Sequence, residues 1–259
     1  MNIPEKLIEL RRIMDRENIA AYIISGTDPH NSEYLPAPWQ QRKWISGFTG
    51  SYGTVVVTKN EAGLWTDTRY FIQAEKELAG SGIKLHKLRV PDAVDYPQWL
   101  VEVLESGTKV GIDGFCMSVS DVRNLKNALS PKNITIQKQV DLLGEMWFDR
   151  PALPVEKIIR LDTKYVGESA GERIGKIREF IRYNHGDAML FSCLDEIAWL
   201  YNIRCNDIAY NPVAISYAIV EKDKAHLFIK LDKISQEIDQ QLAEDGIELH
   251  DYHHLFLFL

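Results

Sequence analysis

The chain has 259 residues, of which 45% are hydrophobic and 26% charged, so it can bury one large core or two smaller ones and is not expected to be disordered. Its 30 Lys and Arg residues against 37 Asp and Glu residues leave a net charge of -7, which disfavours nucleic acid and membrane surfaces as partners. With no signal-peptide pattern, no membrane-spanning run and three distant cysteines typical of free thiols (Cys116, Cys193 and Cys205), a cytoplasmic protein is expected.

The first half of the chain shows helices alternating with strands. Leu7, Leu10 and Met14 recur at helical spacing, and the apolar run 20–24 that follows predicts a buried strand. Strands alternating with helices are typical of a layered α/β domain. The next predicted elements are a hairpin of strands 53–58 and 63–67, further strands at 84–88, 110–113 and 134–137, and helices at 69–78, 99–104 and 122–129.

Two prolines divide the chain. Pro151 and Pro154 interrupt both helix and strand formation, so we predict a first domain over residues 1–147 and a linker over residues 148–165. The second domain then covers residues 166–259, and its apolar last residues suggest that it is truncated.

The opening pattern returns after this linker. Ile174, Ile177 and Ile181 follow the three apolar residues of the first helix by 167 residues, and the same shift carries the first strand onto residues 188–191. We interpret this as an internal duplication, although short amphipathic segments also match by chance. The remaining predicted strands of the second copy are 213–220, 225–230 and 247–249.

Three histidines near the end of the chain are the densest group of candidate metal ligands. His250 and His254 could share a helical face, with His253 beside them. No glutamate lies between them and no third ligand is implied, so we interpret them as part of a surface or interface tail. No metal site is predicted, and no catalytic residue either.

Three other segments contain polar groups that chemistry could use. The glycine-rich loop 47–53 precedes a strand and lacks a P-loop lysine, so a tight structural loop is favoured over an anion site. The side chains of a hydrolytic triad also occur together at Asp28, His30, Ser32 and Glu33, but they are too close in sequence for a triad, which favours local turn hydrogen bonds.

The segment from Asp67 to Tyr70 lies where a strand gives way to a predicted helix. Asp67 is suited to cap that helix. The alternative is a contact to a substrate or partner, because Arg69 offers a planar fork for a carboxylate or carbonyl and Tyr70 an amphipathic surface.

Five segments together resemble a known family. Segments 28–34, 42–54 and 65–71 are similar to the first domain of the three-domain Xaa-Pro aminopeptidases (aminopeptidase P), and segments 194–204 and 211–218 to the second. Thr68 departs from the glycine that is frequent in the family. The resemblance implies an α/β fold of two tandem creatinase-like N-terminal domains, each a mixed sheet flanked by helices, without the catalytic pita-bread domain.

The resemblance also implies a function. In such enzymes the catalytic domain removes the N-terminal residue that precedes proline, using two divalent metals, usually manganese. None of those ligand motifs is recognisable here, so this chain is expected to bind no cofactor and to be inactive alone. It would serve substrate gating and homodimerisation in an enzyme acting on proline-containing peptides.

The first domain would close over the active site of a neighbouring subunit. On this basis Arg69 is expected to meet a peptide carbonyl or carboxylate, Tyr70 to line the cleft, and His30 with Phe48 to shape its rim. A stand-alone protein-interaction module with the same fold is the alternative. A related hydrolase of proline dipeptides or of a small amidino acid is disfavoured, since those relatives usually carry one such domain.

Overall fold

The computed structural model describes residues 1–138 and 141–259, which form two compact units, Met1–Ala152 and Leu153–Leu259. The helices of the first unit are α1 (Ile3–Arg16), α2 (Gln41–Ser46), α3 (Phe71–Glu77), α4 (Tyr96–Val103) and α5 (Val119–Leu129). Its strands are β1 (Ala21–Ile24), β2 (Thr54–Thr58), β3 (Ala62–Thr66), β4 (Lys84–Lys87), β5 (Lys109–Ile112) and β6 (Thr135–Gln137).

The strands of the first unit form one mixed sheet in the order β4-β3-β2-β1-β5-β6. Only β2 runs against its neighbours, while β1, β3, β4, β5 and β6 all point the same way. The carboxyl ends of these five parallel strands therefore meet at one edge of the sheet.

Both faces of this sheet are covered by apolar side chains. Along β1, Tyr22 and Ile24 belong to one buried cluster with α1, whereas Ala21 and Ile23 belong to another with α4 and α5. Successive side chains of a strand point to opposite faces, which explains the division. The central strands are consequently buried on both sides.

The second unit repeats the first four strands of this plan. Its main sheet has the order β12-β11-β10-β8, and β7 pairs with β9 in a separate two-stranded sheet. The strands are β7 (Ile159–Arg160), β8 (Ala188–Phe191), β9 (Ile203–Arg204), β10 (Ser216–Glu221), β11 (Ala225–Ile229) and β12 (Ile247–His250). The helices are α6 (Thr163–Val166), α7 (Ala170–Tyr183), α8 (Leu194–Leu200), α9 (Gln236–Glu244) and α10 (Leu255–Phe258).

The duplication is confirmed at its opening elements. α1 and α7 each have 14 residues, and α7 begins 167 residues after α1, as β8 does after β1. Both helices begin with a capping box, formed by Asn2 with Glu5 in one and by Ser169 with Glu172 in the other. The two copies therefore share the way their first helix starts as well as its apolar spacing.

Two sequence expectations differ from the structure. The predicted linker 148–165 extends into the second unit, because β7 pairs with β9 and Ile158 beside it is buried. The predicted helix 69–78 begins only at Phe71, and its N-cap residue Tyr70 makes no side-chain capping bond. Asp67 lies too far upstream to cap α3, so the capping interpretation of Asp67 is wrong.

Within the described part of the chain, no helix combines the length and the apolar character needed to cross a membrane.

Candidate functional site

Side chains from three neighbouring loops meet at the carboxyl edge of the first sheet. We call this group the Arg69 cluster and define it as Tyr52, Asp67, Arg69, Tyr70 and Arg89. Asp67 directly follows β3, Arg89 follows β4 by two residues, and Tyr52 lies just before β2. The parallel pairing of β3 with β4 brings the two arginines to one carboxylate. Ligands of α/β proteins commonly bind at such an edge.

Asp67 is the anion at the centre of the cluster. Its side chain is 1% exposed, and its Oδ1 accepts a hydrogen bond from the backbone N of Arg69 at 3.1 Å. Arg69 Nη2 lies 3.0 Å and Arg89 Nη1 3.7 Å from its Oδ2. The hydrogen bond from the Arg69 side chain lowers the pKa of Asp67, so the carboxylate is ionised over the physiological range.

Aromatic rings support the two guanidinium groups. The Cζ atom of Arg69 lies 5.2 Å from the ring centre of Tyr70 and 5.8 Å from that of Tyr52, and Arg89 Cζ lies 5.7 Å from Tyr52. The arginine side chains are 58% and 69% exposed. Both guanidinium groups keep an exposed surface, which suits them to an incoming carboxylate or carbonyl oxygen, and the Glu33 carboxylate is a second anion near Arg69.

The glycine-rich loop 47–53 is held by a buried arginine. Arg42 donates to the backbone oxygens of Gly50, Ser51 and Gly53, the last at 3.0 Å. The loop thus turns carbonyl oxygens toward a cation, which agrees with a tight structural loop and opposes an anion site. Ser51 Oγ in turn lies 2.7 Å from the Tyr70 hydroxyl, so Arg42 positions the loop that holds Tyr70.

Gly50 is required by the packing beneath Tyr70. A Cβ atom at this position would lie 2.3 Å from the Phe48 ring and 2.7 Å from the Tyr70 ring. Phe48 is fully buried and meets Tyr70 edge to face, with ring centres 5.9 Å apart. Phe48 therefore supports the cluster from below without reaching its surface.

His30 lies in the loop after β1 and is also buried. Its backbone N donates to Asp28 Oδ1 at 3.0 Å, and its ring contacts Trp39. The same oxygen accepts from the backbone N of Ser32 at 2.9 Å. The Asp28 segment is thus a hydrogen-bonded turn, as predicted. Of the four predicted substrate-facing residues, the structure brings Arg69, Tyr70 and Phe48 together, and Arg69 is the most exposed.

Sequence reasoning missed Arg89 and Tyr52. Arg89 lies two residues after β4. Because the carboxyl ends of parallel strands lie at one edge of a sheet, its position after a predicted strand could have indicated that it lies near Asp67. Tyr52 lies inside the glycine-rich segment, whose composition points to a role for the backbone and gives no signal for this side chain.

The cysteines are free, as expected. Cys116 and Cys205 are buried, and burial raises the pKa of both thiols. Cys193 is exposed. Buried thiols of raised pKa are poor nucleophiles.

Among the described residues, one group of three potential metal-ligand side chains has its ligand atoms within 4.8 Å of one another: His226, Glu248 and His250. His250 was predicted to group with His253 and His254, but it ends strand β12 and faces His226 instead. A two-metal peptidase site needs several bridging carboxylates, and this group contains one. The described residues therefore do not fit the two-metal set that the resemblance implies.

Comparison with known proteins agrees with this architecture. Family models of the creatinase/prolidase N-terminal domain match the chain twice, over residues 6–144 and over residues 149–259. The chain belongs to this family. The predicted resemblance to the two-domain N-terminal region of Xaa-Pro aminopeptidases is confirmed, as is the predicted fold class.

Similar proteins bear names of this enzyme group. The chain is 40% identical to Aminopeptidase P2 of Arabidopsis thaliana over 96% of this chain and 36% of that protein. It is 38% identical to Xaa-Pro aminopeptidase 1 of Dictyostelium discoideum over 99% of this chain and 42% of that protein. The chain thus spans about two fifths of the length of these relatives.

A solved structure matches the whole chain. It is an X-prolyl aminopeptidase from Caenorhabditis elegans, described as a cytosolic enzyme with a di-nuclear active site. The match has a TM-score of 0.95 at 34% identity and covers 100% of this chain and 44% of the other.

The role of Asp67 can be tested by removing its charge. Replacing Asp67 with Asn should lower the free energy of unfolding at pH 7 by about 1–3 kcal/mol, because two arginines lose a buried partner. The pKa of Asp67 is lowered from its ordinary value of 3.8. Its stabilisation is therefore present above that value and is lost as the pH falls through the folded-state pKa. Urea unfolding at pH 7 and at acidic pH measures both effects.

Asp92→Asn is the matched control. Asp92 is an exposed loop residue with a left-handed backbone conformation, and asparagine adopts that conformation readily. It should change the free energy of unfolding by less than about 0.5 kcal/mol. Equal effects of the two variants at pH 7 would contradict the central role of Asp67.

Proposed function

We propose that this chain is the non-catalytic N-terminal region of a cytosolic Xaa-Pro aminopeptidase, which removes the N-terminal residue preceding proline from peptides. The observation that carries the proposal is the 0.95 TM-score over the whole chain, at 34% identity, to the C. elegans X-prolyl aminopeptidase. The two family matches support the same assignment. In the full-length enzyme, two divalent metals, manganese by family resemblance, belong to the part outside this chain.

Substrate gating is the role we assign to the first unit. The Arg69 cluster supports it, because two exposed guanidinium groups lie at one loop edge of the sheet. Asp67 and Tyr70 fix Arg69 from two sides, which lowers the entropy cost of its meeting a peptide oxygen. Phe48 packs under Tyr70, and His30 belongs to the hydrogen-bonded Asp28 turn, so both would act by positioning.

Arg69→Ala in the full-length enzyme tests this role. Loss of one charge-assisted hydrogen bond to the peptide should lower kcat/KM by about 10- to 100-fold while the bound metal stays unchanged. Steady-state kinetics on an Xaa-Pro peptide and elemental analysis of the metal provide the two readouts.

The matched control is Arg123→Ala, which removes an exposed arginine on α5 outside the cluster. It should leave kcat/KM unchanged. Wild-type kinetics in the Arg69→Ala enzyme would refute the assignment, and a parallel loss of metal would show that the variant disturbs folding instead.

The chain by itself should not hydrolyse Xaa-Pro peptides. The chemistry of the family needs a two-metal site, and the only metal-ligand group among the described residues has three ligands. An assay with added manganese on this chain, beside the full-length enzyme, measures the difference. Metal-dependent turnover by this chain above a no-enzyme blank would overturn the non-catalytic assignment.

Homodimerisation is the second role we assign to this region. The full-length enzyme should have twice its monomer mass in light scattering after size-exclusion chromatography, and a version lacking residues 1–152 should be monomeric. A dimer that persists after this deletion would place the interface outside the first unit.

A further inference from the structure

A histidine pair lies on one face of the second sheet. Strands β11 and β12 are parallel neighbours, and their register pairs His226 with Glu248 and Phe228 with His250. Residues two apart on a strand share a face, so His226, Glu248 and His250 stand together on the face opposite the apolar cluster of Leu227.

The distances between these side chains suit a metal ion. His226 Nδ1 lies 3.0 Å from His250 Nε2 and 3.5 Å from Glu248 Oε2. Zinc bonds to imidazole and carboxylate of about 2.0–2.1 Å in tetrahedral geometry separate neighbouring ligand atoms by about 3.3 Å. From this geometry we propose that His226, Glu248 and His250 bind one divalent transition-metal ion of the zinc type.

The environment of His226 supplies an independent observation. Its side chain is 2% exposed, and its Nε2 has no hydrogen-bond partner although it is buried. Glu221 Oε2 lies 3.7 Å from this nitrogen. A metal on Nδ1 requires the proton to be on Nε2, where it faces the Glu221 carboxylate. Metal-bound histidines commonly have such a carboxylate partner.

The contacts of Glu248 also leave one of its oxygens available to a metal. Lys224 Nζ lies 3.1 Å from its Oε1, while the other oxygen, Oε2, faces His226. The lysine can therefore keep its ion pair when Oε2 binds the metal. Glu248 is 48% exposed, which gives an ion access, and the Phe258 ring covers His226 from another side at 4.8 Å.

The first unit contains the same strand pair without the metal ligands. There Trp65 stacks on His86 with ring centres 4.0 Å apart, as Phe228 stacks on His250 at 4.8 Å. The pair next to this stack is Gly63 with Lys84 in the first unit, where the second has His226 with Glu248. The second unit thus adds one imidazole and one carboxylate to an aromatic–histidine stack that both units share.

Two imidazoles and one carboxylate select zinc, cobalt or nickel over magnesium, calcium or manganese. Isothermal titration of the purified, untagged chain with Zn²⁺ should show one saturable site. Titration with Mn²⁺ should show binding at least about 10-fold weaker. Binding of Mn²⁺ as tight as that of Zn²⁺ would overturn the proposed metal class.

Variants locate the site. His250→Gln and Glu248→Gln should weaken Zn²⁺ binding by more than about 10-fold, and Glu221→Gln, which changes only the outer partner, by about 10-fold. His254→Gln is the control, because His254 is exposed and lies outside the group. Circular dichroism must show that each variant is folded. Should the buried His226→Gln variant fail to fold, the more exposed ligands still decide the question.

Co²⁺ provides a second readout that does not depend on heat of binding. Cobalt in a tetrahedral site gives a visible absorption band, and this band should appear in wild type and be absent from His250→Gln. Failure of Zn²⁺ to bind the wild-type chain, or full binding by both His250→Gln and Glu248→Gln, would overturn the proposal.

Discussion

The structure depends on sheets whose central strands are covered by apolar side chains on both faces. In β1, neighbouring residues such as Tyr22 and Ile23 face different buried clusters. A polar side chain in such a strand loses its hydration whichever face it takes, so most polar groups lie at strand ends and edges. Asp67 lies at a strand end that is itself buried, and for that reason it requires Arg69 and Arg89 as compensating charges.

Elements with a local signature could be predicted from the sequence. The helix and strand that open each unit could be predicted from apolar spacing, because the pattern of an amphipathic helix or of a short buried strand lies within a few consecutive residues. The 167-residue shift holds for whole elements, because in each copy a helix of the same length and apolar spacing packs on the core of its own unit. The division into two units followed from the prolines, although β7 lies within the predicted linker.

The sites could be predicted only in part, because their partners meet through strand pairing. Arg69 stood out beside Asp67 in the sequence, but Arg89 reaches the same carboxylate only through the parallel register of β3 and β4. In the sequence, His250 lies at helical spacing from His254. In the structure its neighbour is His226, which is 24 residues upstream on an adjacent strand. A helical periodicity cannot represent that diagonal contact across a sheet.

The two units share one arrangement of strands but have different polar residues at equivalent positions. β3 and β11 each have five residues, and the positions that hold Asp67 and Arg69 after β3 hold Lys230 and Asp232 after β11, with the charges reversed. The cationic cluster is therefore specific to the first unit. In β11, His226 is the one polar residue of a buried strand and leaves a nitrogen unpaired, a costly choice for stability alone. A metal on Nδ1 would place the proton on Nε2, where it faces the Glu221 carboxylate at 3.7 Å.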